Sequence, residues 1–527
     1  MKFSALALLF PLAANACPAN TEPYYYPYEL VRPPNFWIEG VVPILHGNTI
    51  QGYETPIAVF QTMIVDQLMW ECVAAYDDEA VSVIDFERPP FVGPENHHDS
   101  EARALCMVHA INKVLDGGLV PDAAPMWVDY VDSLCLDSTV PSDDDALAAV
   151  QDDGMDTPYA IGHNIGRYFL DKMRNSGWNF DGSLNKFGEE CTGVCPIYGD
   201  NGPKPYVPVV SPFEVKKPKK KKHRKRYQPL IEDNEKGFVF AQAHVTPHIG
   251  YNVELEIVRE PIFCANEFSD AVVRGLDDPK YDYKEEAEEA IEQVRLTGES
   301  DVRKIAVEFF DNKINLAGGL IMRLRSDFLL SLEEQLMYHV GYTTIEHDSV
   351  VLAWREKVEH DLIRPTTVVQ RMGDKTINSY RGPFMGTGDM SARDWHPYIR
   401  TMPHAEYPSG SACLCTAVAE YVDAYMADQH GNNTYPTIWE FAAGSSETEP
   451  GVVPAKALTL SFATMTELRD MCGKSRLWGG MHFTKSVQDS YQLCKGLGAK
   501  AYNDWARQLL PNNDLDSLFD DAEKFAK

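Results

Sequence analysis

Positive charge is what this chain is short of. Lys plus Arg number 48 against 78 Asp plus Glu, a formal net charge of −30. Such a surface repels nucleic acid and anionic membranes, which excludes both as general partners. It also means that any anion site must gather cations against the field of the whole molecule. Long apolar runs are missing as well. Beyond the first residues no stretch reaches the roughly 18 uninterrupted apolar residues of a membrane span, which predicts a soluble mature chain. Strand patterns are few, with only weak alternation over 237–258 that suits a hairpin, and no repeat of roughly 20–50 residues is evident. A zinc site is not indicated, because Cys191-x3-Cys195 has no matching second pair with nearby His; a disulfide or free thiols fit better.

What is present is a globular composition, 44% hydrophobic over 527 residues, enough for a large core. Residues 1–16 combine Lys2, an apolar stretch from Phe3 to Leu12, and Ala14-Asn15-Ala16, the pattern of a secretory signal peptide. With secretion, some of the 11 cysteines are expected in disulfides, and the odd count leaves at least one unpaired within the chain. Asn432-Asn433-Thr434 is a glycosylation sequon for a eukaryotic secretory route.

A Pro- and Tyr-rich arm over 17–55 precedes a helical bundle over 56–195, with helices at 56–76, 101–115 and 157–174. An irregular connection follows over 196–280, carrying the basic run 216–226, read as a solvated loop with polyanion contact or proteolytic processing as the alternatives. A second bundle over 281–515 begins at Tyr283 and has helical patterns at 302–316, 325–340, 346–363, 411–428 and 484–508. The predicted fold is mainly α, two helical bundles in one compact unit.

Three segments of the second bundle carry chemistry. Lys357 and Arg364 are seven residues apart near a helix end stopped by Pro365, so a helix would place both cations on one side. Pro408-Ser409-Gly410-Ser411 stands at the start of a clean helical run, where free N–H groups, hydroxyls and a glycine allow close approach of an anion. Ser475-Arg476, two glycines and His482 add a forked donor, a tight turn and an imidazole. Singly, each has a blander meaning: a solvated basic stripe, an ordinary serine N-cap, a structural histidine.

Together and in this order, K-x6-R-P, P-S-G-S and S-R-x5-H resemble the signature of the vanadium-dependent haloperoxidases and the related type 2 phosphatidic acid phosphatases, matching nine of its ten defined positions. Trp354, the His404-Ala405-Glu406-Tyr407 run and the stretch from Arg303 to Asp311 resemble the soluble haloperoxidase branch. The resemblance implies vanadate as cofactor, with His482 as its protein ligand. Lys357, Arg364 and Arg476 would neutralise its oxygens, and Ser409 and Gly410 would donate hydrogen bonds. Hydrogen peroxide, halide and a small organic substrate are the implied reactants, and Lys357 would polarise the peroxide. Trp354 and His404 would line the halide pocket, with bromide or iodide favoured over chloride because algal bromoperoxidases resemble this chain at His404.

Ser411 departs from the pattern, which has His there. Serine is not a general base at neutral pH, which puts rate, pH profile and halide scope in doubt; some bacterial haloperoxidases share the serine. The same loss weakens the rival reading, a secreted acid phosphatase needing that acid for its leaving group, and it admits a third, a non-catalytic phosphate or vanadate binder. Ser486 stands where relatives often place an Asp that supports the histidine. Asp489 matches another acidic position and Asp311 is a further supporting candidate, so the group orienting His482 stays open.

Overall fold

The computed structural model describes residues 55–77, 80–84, 100–120, 124–133, 157–202, 205–214, 218–233, 239–257 and 283–510. The expected signal peptide, the Tyr-rich arm, Lys216, Lys217 and Cys17, Cys135 and Cys264 lie outside them.

The chain is mainly α-helical, in two bundle-like regions. In the first, α1 (Thr55–Tyr76), α2 (Ser100–Asp116), α3 (Ala124–Ser133) and α4 (Pro158–Arg174) pack together, α2 lying along α4. α1 is apolar and long enough to cross a bilayer, yet its apolar window is entirely buried inside the protein, as in a core helix. The connection holds one short hairpin, β1 (Ile231–Asp233) with β2 (Val239–Ala241), and a single turn, α5 (Ile249–Asn252). The hairpin overlaps the weak alternation over 237–258 only in part: β2 lies within it and β1 precedes it.

The second region contains α6 (Lys284–Gly298), α7 (Asp301–Asp311), α8 (Lys313–Phe328), α9 (Leu332–His360), α10 (Pro365–Gln370) and a hairpin of β3 (Thr376–Tyr380) and β4 (Thr387–Ser391). It continues through α11 (Gly410–Gln429), a hairpin of β5 (Thr437–Phe441) and β6 (Leu458–Phe462), α12 (Met465–Trp478), α13 (Thr484–Leu493) and α14 (Leu497–Asp504). Periodicity missed two breaks and one join. The run 302–316 divides at Asn312, the C-cap of α7. The run 484–508 divides at Gly496, whose φ of 81° is one that glycine adopts without strain. The patterns at 325–340 and 346–363 are largely one helix, α9, opened by a Ser331–Glu334 capping box.

α9 has 29 residues, about 44 Å at the α-helical rise, and is buried around most of its circumference. It packs on α1 of the first region and on α11 of the second. Two disulfides, Cys415–Cys472 and Cys413–Cys494, tie α11 to α12 and to the end of α13, and Cys72–Cys106 joins α1 to α2. Cys191 and Cys195 form a disulfide, as favoured over a zinc half-site.

Midway along α9, burial pushes the Glu346 carboxyl up to about 8; Asp66 adds to the shift and Lys313 opposes it. Because the folded state holds this proton more tightly than an unfolded chain with a usual value of 4.5, the native state loses stability as pH rises from about 4.5 towards about 8. The loss approaches about 1.4 kcal/mol per pH unit. Glu346→Gln should remove this slope, so that the variant gains on wild type at pH 8 relative to pH 5 in denaturant titrations. Parallel curves for the two proteins would show that Glu346 keeps its charge.

Candidate active site

α9 ends at His360. Asp361 caps it in the left-handed region, φ 46°, and the chain then runs extended to Arg364, φ −81° and ψ 151°, which precedes Pro365 at the first position of α10. The expected two-turn helical face for Lys357 and Arg364 is therefore not what brings them together; the reversal after Asp361 does. Part of the basic run holds that reversal in place. Tyr227 N–H donates to the Asp361 carbonyl (2.7 Å) and Ile363 N–H to the Lys225 carbonyl (3.0 Å). Lys225 itself is buried against the Tyr283 ring, so the run is solvated at Lys219–Lys222 but built into the fold at Lys225.

Both cations are clamped by backbone oxygen. Lys357 Nζ donates to the carbonyls of Ala405 (2.9 Å), Glu406 (3.1 Å) and Pro408 (2.5 Å). Arg364 donates to the carbonyls of His404 (2.9 Å), Met481 (2.9 Å) and Ala405 (3.3 Å). Its last contacts are ring nitrogens, His404 Nδ1 at 2.9 Å and His482 Nε2 at 3.4 Å. A guanidinium has no acceptor, so His482 Nε2 presents a lone pair, as does His404 Nδ1 in the shorter of its two contacts, the other being the Ala405 carbonyl at 3.2 Å. His482 therefore carries its proton on Nδ1, which donates to Glu406 Oε1 (2.9 Å). Glu406 also accepts from Phe483 N–H (3.1 Å) and the Ser486 hydroxyl (2.7 Å).

The helix-start cradle forms as its sequence suggests. Ser409 caps α11, its hydroxyl accepting from Ala412 N–H (3.3 Å), and Ser411 lies in the first turn, 7% exposed. A Cβ added at Gly410 would stand 3.6 Å from the Trp354 ring and 3.9 Å from Lys357 Cε, filling the space in front of the ammonium. Arg476, in the last turn of α12, spends Nη1 on Asp311 (2.9 Å), and its buried Nε has no hydrogen-bond partner among the described residues. A buried unpaired guanidinium N–H is costly and fits an anion.

Electrostatics point the same way. Burial pushes Lys357 well below the usual ammonium range, and Arg364 adds to the shift. Burial takes Arg364 down to about 10 and Lys313 down to about 8, the latter helped by Arg476. His482 is pushed well below its ordinary value by burial and then by Arg364, Lys357 and Arg476, so it is neutral. Burial raises Glu406, opposed by Ser486, Arg364, Phe483 N–H and Lys357. The surplus is positive, and an anion would relieve it.

Trp354 and His404 lie side by side, ring centroids 4.7 Å apart. A small, shallow cleft opens onto His482, lined by Leu477, Phe483, Glu286 and Glu289 among others. Asp489 is held elsewhere: burial and Glu356 raise it to about 6, with His360 opposing. Sequence reasoning gave no site role to Glu406, which it met only within the His404–Tyr407 run, and did not pick out Lys313 or His244. A glutamate in a loop carries no local sign that it will meet a histidine 76 residues on.

Among the described residues no group of three His, Cys, Asp or Glu side chains could hold a metal cation. The donor set is instead that of an oxyanion: one imidazole lone pair, buried cations, a helix N-terminus and hydroxyls.

Residues 337–510 match the family model described as the VCPO second helical-bundle domain. Comparison with curated protein sequences gives no match. Among solved structures, the chain superposes on an apo-type bacterial vanadium-dependent chloroperoxidase with a TM-score of 0.74, at 22% identity over 88% of this chain and 95% of that one. The holo-type structure gives 0.73 and 22%, over 88% and 94% of the two chains. A structure described as the first bacterial vanadium-dependent iodoperoxidase gives 0.54 at 15% identity, over 92% and 98%.

Glu406→Gln should weaken orthovanadate or phosphate binding by about 10–100-fold, because the variant mispairs the donors that set His482. Calorimetric titration checks this; wild-type affinity in a normally folded variant would mean that another group orients the imidazole.

Proposed function

We propose that the chain oxidises halide with hydrogen peroxide at a vanadate bound in this site, a reading supported by its fold likeness to a bacterial vanadium-dependent chloroperoxidase and by the match of residues 337–510 to the VCPO second helical-bundle model. The observation that carries the reading is a buried Arg476 Nε with no partner among the described residues, together with a His482 Nε2 that presents a lone pair, within a buried surplus of cations. Bound vanadate would supply Lewis acidity towards peroxide without a change of oxidation state.

The residues have distinct parts. His482 Nε2 is the candidate ligand nitrogen, and Glu406 fixes its tautomer and direction. Arg476 offers Nε, and Arg364 a guanidinium whose contact with His482 a ligand would replace. Ser409, Gly410 and Ser411 offer hydroxyl and N–H donors at the start of α11. Lys357 has all three ammonium protons on carbonyls, so it acts first as fixed charge; donating to a reactant means giving up one of them. Bromide or iodide in preference to chloride rests on His404 beside Trp354. Arg364 at 2.9 Å from Nδ1, closer than the Ala405 carbonyl at 3.2 Å, favours the His404 tautomer with its proton on Nε2, a neutral donor suited to a large, weakly hydrated anion. Export follows the leader pattern, and four disulfides among the described residues suit an oxidising compartment.

Phosphate has the same shape and charge class, so a secreted phosphatase and a non-catalytic binder are the competing outcomes. Purified protein should halogenate monochlorodimedone with peroxide and bromide or iodide only when orthovanadate is supplied, and should leave p-nitrophenyl phosphate unhydrolysed. Phosphate ester turnover blocked by vanadate would establish the phosphatase; tight binding without either reaction would establish the binder. His482→Ala should abolish vanadate binding and halogenation together, and survival of either would sink the site. Ser411→His should shift the pH–rate profile if position 411 faces the bound anion.

A further inference from the structure

The connection between the two bundles builds one side of the site. Gln242 Nε2 donates to the Thr401 carbonyl (2.9 Å), Val245 N–H to the Pro403 carbonyl (2.9 Å), and Ala405 N–H to His244 Nε2 (3.4 Å). The Trp354 indole N–H donates to the Val245 carbonyl (3.0 Å), so the same segment reaches the site-bearing end of α9.

His244 is committed at both nitrogens. A backbone N–H can only donate, so Nε2 is the acceptor; the proton sits on Nδ1 and goes to the Val245 carbonyl (3.0 Å). Burial pushes the imidazole down to about 3, with Lys357 and Arg364 acting in the same direction. The ring is packed by Tyr206 (4.5 Å between centroids) and Tyr227 (5.8 Å), and it lies 6.3 Å from His404.

Ala405 is the residue this arrangement holds. Its carbonyl takes Lys357 Nζ and Arg364 Nη2, while Glu406 N–H is pinned to the Leu362 carbonyl (2.9 Å). The 403–406 turn is thus suspended between the 361–364 reversal on one side and His244 on the other. Most of its carbonyls face the two cations.

We propose that His244 is a positioning residue of the active site: as a neutral acceptor it fixes the Ala405 peptide, and the turn's carbonyls then hold Lys357 and Arg364 on the anion. The family match begins at residue 337, so this residue lies outside the domain that carries the recognised motifs. The affinity consequence rests on the oxyanion reading above; the structural consequence does not.

Two variants separate the effects. His244→Phe keeps a planar ring and loses the acceptor, whereas His244→Gln can place a carbonyl oxygen near the Nε2 position. In the full-length protein, hydrogen–deuterium exchange of residues 401–408 should accelerate about 10-fold or more in His244→Phe and stay near wild type in His244→Gln. Orthovanadate affinity should fall about 10-fold in the first and recover to within about threefold in the second. Unaltered exchange in a folded His244→Phe, or a His244→Gln as impaired as His244→Phe, would overturn the inference. A wild type that binds no orthovanadate would overturn the oxyanion reading instead, and the exchange comparison would still decide the role of His244.

Discussion

The site depends on burying cations that have no carboxylate of their own. Lys357 and Arg364 are all but inaccessible to water, and the groups receiving their protons are mostly backbone carbonyls. A carbonyl is a weaker partner than a carboxylate: it satisfies the hydrogen bond but leaves the charge in place. That is how a protein of net charge −30 keeps a positive interior pocket. Glu406 is the acid close at hand, and it is occupied by His482, Phe483 N–H and Ser486.

Carbonyl clamping demands an accurately placed backbone, and much of the architecture serves that demand. α9 carries Trp354 and Lys357 at one end while packing on both bundles along its length, so neither bundle shifts without moving the ammonium. The disulfides of Cys415 with Cys472 and Cys413 with Cys494 bind the cradle helix to the helix of Arg476 and to the segment following His482. Asp361 turns the chain so that Arg364 comes back towards Lys357. The 401–406 turn lies between that reversal and the connecting segment, fastened on both sides.

Much of this was legible in the sequence, for a definite reason. Oxyanion chemistry fixes residue types at short spacings, so Lys357, Arg364, Ser409, Gly410, Arg476 and His482 could be recognised together while each alone had a bland meaning. Helical periodicity gave the bundles but not their breaks at Asn312 and Gly496, because caps act on single residues that leave the apolar pattern intact. The Lys357–Arg364 spacing suggested a helical face; Asp361 ends the helix first, and no periodic signal marks that. Glu406 and His244 were not legible as site residues. Their importance comes from partners far away in sequence, and the segment carrying His244 looked irregular because its order comes from hydrogen bonds to another loop.

The cleft onto His482 has Glu289 and a Lys485-paired Glu286 at its lining, beneath a surface that is strongly anionic overall. A small anion diffusing towards the buried cations first meets repulsion and is attracted only at short range. Dissolved salt changes the balance between the two. At about 0.01 M the Debye length is ~30 Å and the outer charge is felt over the whole approach; at about 1 M it is ~3 Å, and little is left of the barrier outside the buried site. The rate of anion capture through this cleft should therefore rise with ionic strength, the reverse of ordinary electrostatic steering.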